Sequence, residues 1–467
     1  MAEIDRAASE PMEVLIRRAA FAVAVEAKRM LRARRSSGCA GARVVVIAGK
    51  GNNGADGRVA AALLERAGAR CLIVEADVAG VQDLGVTRAW ASPDLLLDAA
   101  YGTGFRGQFV SPIPSAAIDC PVLAVDIPSG VDGLTGAAGD GVIPADVTVT
   151  FVAVKPGLLM EPGRSLAGRV VVADIGLAAS EPTAEWSEAH DLGGWPQPLP
   201  TAHKWQRAVR VVGGGAHMMG APAMTASAAL RAGAGYVTLS SPVADSTMAG
   251  HGPAPIEAVY RPLPTEDWGR TLANELASFG ALVLGPGLAP TEHNMAEVRS
   301  VLSGADGDVR TPAVIDAGAL DAIGPEPILR PAILTPHAGE QRRLLERCGW
   351  NDLLAMDDRI AQTKELADRL GCVVLSKGAT TVVADSKGRA MVVTSGDGRL
   401  ATAGTGDVLA GVIGAGLAAG LAPFDAAWLG AELHAQAARL GQARGLVASD
   451  LPQLVAQCLS SGRAADS

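Results

Sequence analysis

The sequence predicts an α/β protein built as two three-layer domains, and three observations carry that prediction. Short runs of β-branched and aliphatic residues recur between helical stretches without strict polar alternation, the pattern of strands buried on both faces of a parallel sheet. Glycines, carboxylates and hydroxyl residues gather just after these runs, where open α/β sheets bind ligands. Between residues 178 and 202 the pattern stops in AASEPTAEWSEAHDLGGWPQPLPTA, an acidic, proline-containing stretch that reads as a linker. A boundary is therefore expected near 195 to 200, giving domains over 1–195 and 200–467 in a chain too long for a single core.

In the first half the strand-like runs are RVVVIA (43–48), RCLIVEA (70–76), DLLLDA (94–99), PVLAVDI (121–127), DVTVTFVAV (146–154) and RVVVADI (169–175). In the second they are AVRVVGG (208–214), GYVTLSS (235–241), ALVLG (281–285), PAVIDA (312–317), PAILTP (331–336), CVVLSKG (372–378) and TTVVAD (380–385). Val408 to Phe424 is uncharged, but its Gly and Ala content and Pro423 make it a buried helix of a soluble protein rather than a membrane span. The basic run KRMLRARR (28–35) reads as a solvated helix face.

A net charge of -9 argues against a nucleic-acid partner, because phosphate binding needs a clustered positive field. The six cysteines form no CxxC pair and no regular spacing, so they read as small buried hydrophobes in a reducing compartment. The N-terminus has acidic residues where a signal peptide would be basic. A cytoplasmic protein without a membrane partner is expected.

GKGNNG (49–54) lies between a strand and a helix and so satisfies the dinucleotide fingerprint in its proper context, with Glu75 about where a ribose-binding acid should fall. Alone it would indicate an NAD-dependent dehydrogenase. Against that, Asn52 and Asn53 occupy the loop where backbone should approach a pyrophosphate, and the Asp56 carboxylate would repel it. A plainer role for Asn52 or Asn53 is to cap the helix. Further strand ends supply Asp98, Asp126, Ser129 and Lys155. Asn53, Asp98 and Ser129 offer oxygens suited to a hard cation, and Asp126 is a candidate acid or base.

The blocks NNGADG, DAAYGTGFRG, AVDIPSGVDG and TVTFVAVKPG resemble, in order and spacing, those of the NAD(P)H-hydrate epimerase family over residues 10–178. The resemblance implies a Rossmann-like domain in which Asn52, Asn53, Gly54, Ala55 and Asp56, the loop Gly102, Thr103, Gly104, Phe105, Arg106, Gly107 and Gln108, and Asp126 hold the hydrated cofactor. It also implies that Asn53, Asp98 and Ser129 bind potassium and that Asp126 is catalytic. Ala55 replaces a glycine common in the family, and its methyl group fits only where φ is negative.

In the second half GTGD (404–407) opens an apolar helix, presenting free backbone N–H groups beside a carboxylate. That arrangement can stabilise a transferring phosphoryl group while the Asp accepts a proton. A simple helix cap is the bland alternative. The motif resembles the anion hole of the ribokinase-like fold. With LRAGAGYVTL, VLGPG, TPHAGE, LSKGATTVV and TAGTGDVLAGVIGA, it follows the order of the ADP-dependent NAD(P)H-hydrate dehydratase family over residues 200–450. By that resemblance Asp407 is the general base and also a substrate contact, with Ala221, Gly287 and His337 touching the hydrate. Lys377, Gly378, Ala379, Thr380 and Thr381 hold ADP together with Gly404, Thr405 and Gly406, the three residues of the anion hole. His337 in a strand-end turn is also a candidate structural residue. Gly318 stands in DAGAL where the family commonly has a second Asp, Ala289 follows GPGL, and Ala208 stands where a glycine often precedes the first strand.

The resemblance thus implies a fused enzyme that interconverts the R and S hydrates of NADH and NADPH and then dehydrates the S form with ADP, yielding NAD(P)H, AMP and phosphate. Potassium and ADP are the expected small partners, magnesium suits the phosphoryl step, and a homo-oligomer is expected. A ribokinase-like small-molecule kinase joined to a non-catalytic dinucleotide-binding scaffold uses the same motifs and stays open.

Overall fold

The structure, a computed structural model, describes residues 10–76, 92–105, 107, 109–113, 118–178, 182–215, 217–242, 255–304 and 310–461. It falls into two compact units, Met1–Pro182 and Thr183–Ser467.

The first unit has strands β1 (Arg43–Ala48), β2 (Arg70–Glu75), β3 (Leu95–Ala99), β4 (Val122–Val125), β5 (Val147–Phe151) and β6 (Arg169–Ala173), with helices α1 (Met12–Arg34), α2 (Asn52–Arg66) and α3 (Gly163–Ala167). The strands form one sheet, ordered β2-β1-β3-β4-β5-β6, whose described pairings are all parallel. Side chains two apart share a face of a strand. Val44, Val46, Leu95, Leu97, Leu123 and Val125 accordingly pack with Ala20, Val23 and Ala27 of α1 and Ala60 and Leu64 of α2. Val45, Ile47, Leu96, Val122 and Ala124 form a second cluster on the opposite face. This is a Rossmann-like arrangement. Its strand order reverses between β1 and β3, so their carboxyl ends flank a ligand crevice.

In the second unit the strands are β7 (Glu185–Trp186), β8 (Ala208–Val212), β9 (Tyr236–Ser240), β10 (Val259–Tyr260), β11 (Ala281–Leu284), β12 (Ala313–Ile315), β13 (Ala332–Leu334), β14 (Val373–Ser376), β15 (Thr381–Ala384) and β16 (Ala390–Val393). Helices α4 (Gly220–Arg231), α5 (Trp268–Glu275), α6 (Glu292–Ser303), α7 (Ala338–Cys348), α8 (Asn351–Leu354), α9 (Arg359–Leu370), α10 (Thr405–Ala418), α11 (Pro423–Leu440) and α12 (Leu451–Ser461) accompany them. The sheet order is β10-β9-β8-β11-β12-β13-β14-β15-β16-β7. Pairing is parallel except where β15 runs antiparallel to β14 and β16. Val209, Val211, Val237, Val283, Val314 and Ile333 pack in one core with Val408, Val412 and Ile413 of α10 and Ala226 and Ala229 of α4. Here the order reverses between β8 and β11.

The two compact units divide after Pro182, ahead of the expected 195–200, and the acidic segment is partly built into the second unit. Glu185 and Trp186 pair in parallel with Met391 and Val392, and the Ser187 N–H donates to the Val392 carbonyl at 3.0 Å. Trp195 is buried, its Nε1 donating to the Ala232 carbonyl at 3.1 Å. A two-residue strand is too short to carry a periodic signal. Of the expected stretch Val408 to Phe424, Val408–Ala418 is buried helix, but the helix ends there and α11 begins at Pro423; no helix among the described residues is long and apolar enough to cross a membrane. Arg29, Arg32 and Arg34 are exposed on α1, and all six cysteines are free.

Candidate active sites

The loop after β1 depends on glycine at two close approaches. A Cβ on Gly49 would lie 2.0 Å from the Ala100 carbonyl oxygen, and one on Gly54 would lie 1.9 Å from that of Gly49. The loop is thereby folded against the end of β3. Asn52, Asn53, Gly54, Ala55 and Asp56 form the first turns of α2, and Gly51 is its N-cap with no side-chain cap bond, so neither Asn serves as the cap. Ala55 is helical, its N–H donating to the Gly51 carbonyl at 3.1 Å, so its methyl group meets no backbone strain. Asn53 Nδ2 and Asp56 Oδ1 are buried without a hydrogen-bond partner. Left unmet, such groups are costly, and they are the natural contacts of a polar ligand.

These residues line a cleft of about 500 Å³ with Tyr101, Gly102, Thr103, Gly104, Phe105 and Asp126, and with Leu15, Ile16 and Ala19 of α1. Asp126 follows β4 in a left-handed conformation, φ 67°. Its carboxylate pairs with Lys155 at 2.6 Å, and it accepts from the Thr103 N–H and the Thr150 hydroxyl at 3.3 Å each. Lys155 is itself buried and also donates to Thr150 Oγ1 at 2.8 Å and to the Phe151 carbonyl at 2.9 Å. Burial, with the Asp126 charge adding to it, pushes the Asp56 carboxyl up to about 8. The cleft therefore sets a carboxyl that burial disposes to keep its proton beside the Asp126–Lys155 pair.

Asp98 is fully buried at the end of β3 and accepts from the Ser129 hydroxyl at 2.6 Å and the Ser129 N–H at 2.8 Å. Burial raises its carboxyl, while the Ser129 bonds oppose that rise. No cationic side chain pairs with it among the described residues. Asn53 lies on the neighbouring turn, its Oδ1 3.5 Å from a Cβ built on Gly102. Gly107 is at φ 126°, while Arg106 and Gln108 lie outside the described residues.

The second cluster sits on the carboxyl edge of the larger sheet. Gly404, at φ 94°, is the N-cap of α10, and Thr405, Gly406 and Asp407 form its first turn. The Thr405 hydroxyl donates to the carbonyls of Leu400 at 2.9 Å and Thr402 at 3.0 Å, fixing the turn, and the Thr405 N–H reaches the Thr402 carbonyl at a long 3.5 Å, so the first turn of the helix still points its N–H groups toward a ligand. The helix is thus more than capped: its own hydroxyl is spent on the loop. Burial, the Asp316 and Glu340 charges and, in opposition, Lys377 together set the Asp407 carboxyl at about 7.

Lys377, at the end of β14, pairs with Asp316 at 2.9 Å and approaches Glu340 at 3.8 Å. Burial alone would lower its affinity for a proton, but Asp316 and Glu340 outweigh that and raise it. Its Nζ lies 3.4 Å from a Cβ built on Gly406. Gly378, Ala379, Thr380 and Thr381 continue this strand end into β15, where the Thr380 carbonyl accepts from Arg359 at 2.9 Å. Gly287, at φ 70°, adjoins Ala221: a Cβ on it would lie 3.2 Å from the Ala221 methyl and 2.4 Å from the Met218 carbonyl. His337 proves to have a structural duty, since its Nδ1 accepts from the Gly339 and Glu340 N–H groups and caps α7. Its Nε2 lies 3.5 Å from Glu340 Oε1, at the edge of the same cluster. Gly318 has a steric reason, for a Cβ there would sit 2.0 Å from the Leu288 carbonyl.

Motif reading named Lys155 as a strand-end polar group without a role, and it missed Asp316 and Glu340 as members of the second cluster. The available signal was position, because Lys155 and Asp316 each follow an apolar strand run, in TFVAVKPG and PAVIDA.

Comparison with known proteins finds matches to both halves of the chain. A family model described as NAD(P)H-hydrate dehydratase matches residues 209–460, and one described as YjeF-related protein N-terminus matches residues 12–157. The bifunctional NAD(P)H-hydrate repair enzyme Nnr of Escherichia coli (strain K12) is 35% identical over 442 residues, covering 87% of this chain and 83% of that protein. The protein of the same name from Mycobacterium tuberculosis (strain ATCC 25618 / H37Rv) is 36% identical over 451 residues, covering 91% and 89%. Among solved structures, an ADP/ATP-dependent NAD(P)H-hydrate dehydratase from Bacillus subtilis, co-crystallised with ATP/Mg2+, matches with a TM-score of 0.51 and 28% identity, covering 61% of this chain and 100% of that one. The second unit is therefore ribokinase-like in the manner of that dehydratase, and the chain as a whole belongs to the family of bifunctional NAD(P)H-hydrate repair enzymes.

Proposed function

We propose that the first unit epimerises hydrated NADH and NADPH and that the second dehydrates the S hydrate with ADP, giving NAD(P)H, AMP and phosphate. The observation that carries the reading is Asp407, a carboxyl held near 7 at the N-terminus of α10 beside Lys377. A group so poised is half ionised near neutral pH and can take a proton from an attacking hydroxyl. The ring hydroxyl of the hydrate attacks the terminal phosphorus of ADP as Asp407 accepts its proton, and the bond to the departing AMP oxygen breaks. The N–H groups of Gly404, Thr405 and Gly406 and the Lys377 ammonium meet the charge on the transferring phosphoryl group. The new phosphate ester then leaves as phosphate while the neighbouring carbon gives up a proton, restoring the ring double bond. Ala221, Gly287 and His337 contact the hydrate in this reading, and Lys377 to Thr381 contact the nucleotide.

In the first unit, inversion at the hydroxyl-bearing carbon requires its C–O bond to break on one face and re-form on the other. The protonated Asp56 supplies a proton to the leaving oxygen, and the Asp126 carboxylate, held by Lys155, accepts one from the incoming water. Asn52, Asn53 and the loop Gly102 to Gln108 hold the remainder of the cofactor. Potassium fits Asn53, Asp98 and Ser129, because Asp98 is a buried carboxylate surrounded by neutral donors. Bound there, it would supply a fixed positive charge near the cofactor. No group of three or more His, Cys, Asp or Glu side chains among the described residues could hold a metal alone, so magnesium would share its coordination with nucleotide phosphates. A reducing cytoplasm suits six free cysteines, and a homo-oligomer suits the exposed Phe21 and Val25, one turn apart on α1.

The test is to mix the chain with hydrated NADH and follow the absorbance of the reduced nicotinamide. Recovery that requires ADP is expected. Phosphorylation of a small alcohol with no such recovery would instead make the second unit a kinase.

A further inference from the structure

We propose that Asp316 is a positioning residue for phosphoryl transfer, holding the Lys377 ammonium beside the Gly406–Asp407 turn and keeping a fixed negative charge behind Asp407. It rests on the dehydration reading above, which assigns a role to neither Asp316 nor Glu340, although both stand in its motifs DAGAL and TPHAGE.

Asp316 ends β12, with a relative exposure of 2%. Its Oδ1 accepts from Thr335 Oγ1 at 2.7 Å, just past β13, and from Lys377 Nζ at 2.9 Å, just past β14. Three neighbouring parallel strands thus end on one ion pair. The backbone holds Asp316 firmly: its carbonyl lies 1.9 Å from where a Cβ on Gly285 would stand, and Ala317 beyond it takes φ 48°. Glu340 braces the ammonium from α7, where its Oε2 also accepts from the His337 N–H at 2.8 Å. With Nζ 3.4 Å from a Cβ built on Gly406, the cation is set at the mouth of the anion hole.

Asp316, Lys377 and Glu340 are the charges that reach Asp407. Of the elements packed on α10, α4 meets Asp407 through the Thr225 hydroxyl, at 3.0 Å from its carbonyl, and carries its one charge, Arg231, at its far end. Behind Thr405, α11 brings His434, which burial pulls down to about 4 and so keeps neutral. Cys458 is the sole titratable group of α12. Lys204, Arg207 and Arg210 start near the opposite end of α10, where Gly280 adjoins both Ala208 and Ala418.

A buried neutraliser of Lys377 and a positioning group differ in the pH profile. Asp407 must be ionised to act, so turnover falls as pH drops through its titration. The Asp316 charge raises that titration and Lys377 lowers it. Asp316→Asn should therefore move the acidic limb of kcat to lower pH by roughly one unit, with a raised KM for ADP as Lys377 loses its holder. A folded Asp316→Asn chain that is merely slower, with the limb unmoved, overturns the proposal. If that variant does not fold, Glu340→Gln should shift the limb in the same sense by less, and an unmoved limb there is equally fatal. Wild-type chain that shows no ADP-dependent recovery sinks the dehydration reading instead, so the two failures are told apart.

Discussion

Three carboxyl groups carry the residue-scale argument, and each behaves as its neighbours dictate. Asp407→Asn keeps the turn and Lys377 but removes the base, so ADP-dependent recovery should fall by at least about 100-fold while calorimetry still reads nucleotide binding. Retained dehydration would remove Asp407 from the chemistry. Asp56 makes a prediction about stability as well as rate. Between its ordinary value of 3.8 and about 8 the folded chain keeps a proton that the unfolded chain has released, so folding weakens as pH rises through that window. Asp56→Asn should abolish epimerisation yet raise the melting temperature of the first unit at pH values around 8. A variant that melts lower there would mean the buried carboxyl has a partner that compensates its burial. Legibility differed among these residues. Asp126 and Asp407 stand inside motifs with glycine spacing, whereas the ion pairs Lys155–Asp126 and Lys377–Asp316 join residues 29 and 61 positions apart, beyond any local pattern.

At the scale of elements, the second site depends on how closely α10 approaches α4. A Cβ on Gly411 would lie 2.2 Å from the Thr225 carbonyl and 3.0 Å from the Ala228 methyl. Gly411→Ala should thus push the helices apart at a cost of about 1–3 kcal/mol, and because Asp407 lies one turn earlier, dehydration should drop with the melting temperature of the second unit. Epimerisation should be untouched, and parallel assays of both reactions on one preparation will show whether it is. The strand β7 is the element the sequence concealed. It is anchored by Ser187, whose hydroxyl donates at 2.9 Å to the buried Glu432, which also accepts from Ser395 at 2.6 Å and Gln436 at 2.8 Å. A polar pin of this kind needs residues from three distant segments, and no window of sequence contains them.

For the whole molecule, each unit has its own sheet and its own core, so each should fold and act alone. Residues 183–467 should dehydrate with ADP, and residues 10–182 should epimerise. The placement of the boundary gives a sharper test. A fragment beginning at residue 200 lacks β7 and the buried Trp195, and loss of that indole alone should cost about 3–5 kcal/mol. It should melt well below the fragment that begins at Thr183, and equal melting temperatures would return the segment to linker status.

By itself the sequence determined the α/β class, the two-domain organisation and the two glycine loops. Buried parallel strands leave unbroken apolar runs, and a helix N-terminus that must approach other backbone leaves glycines at fixed spacing. Tertiary structure alone decided which carboxyl keeps its proton, which lysine faces which acid, where the second unit begins, and that His337 caps a helix. Those properties depend on burial and on distances across strand ends, which arise only once the two sheets have brought remote segments together.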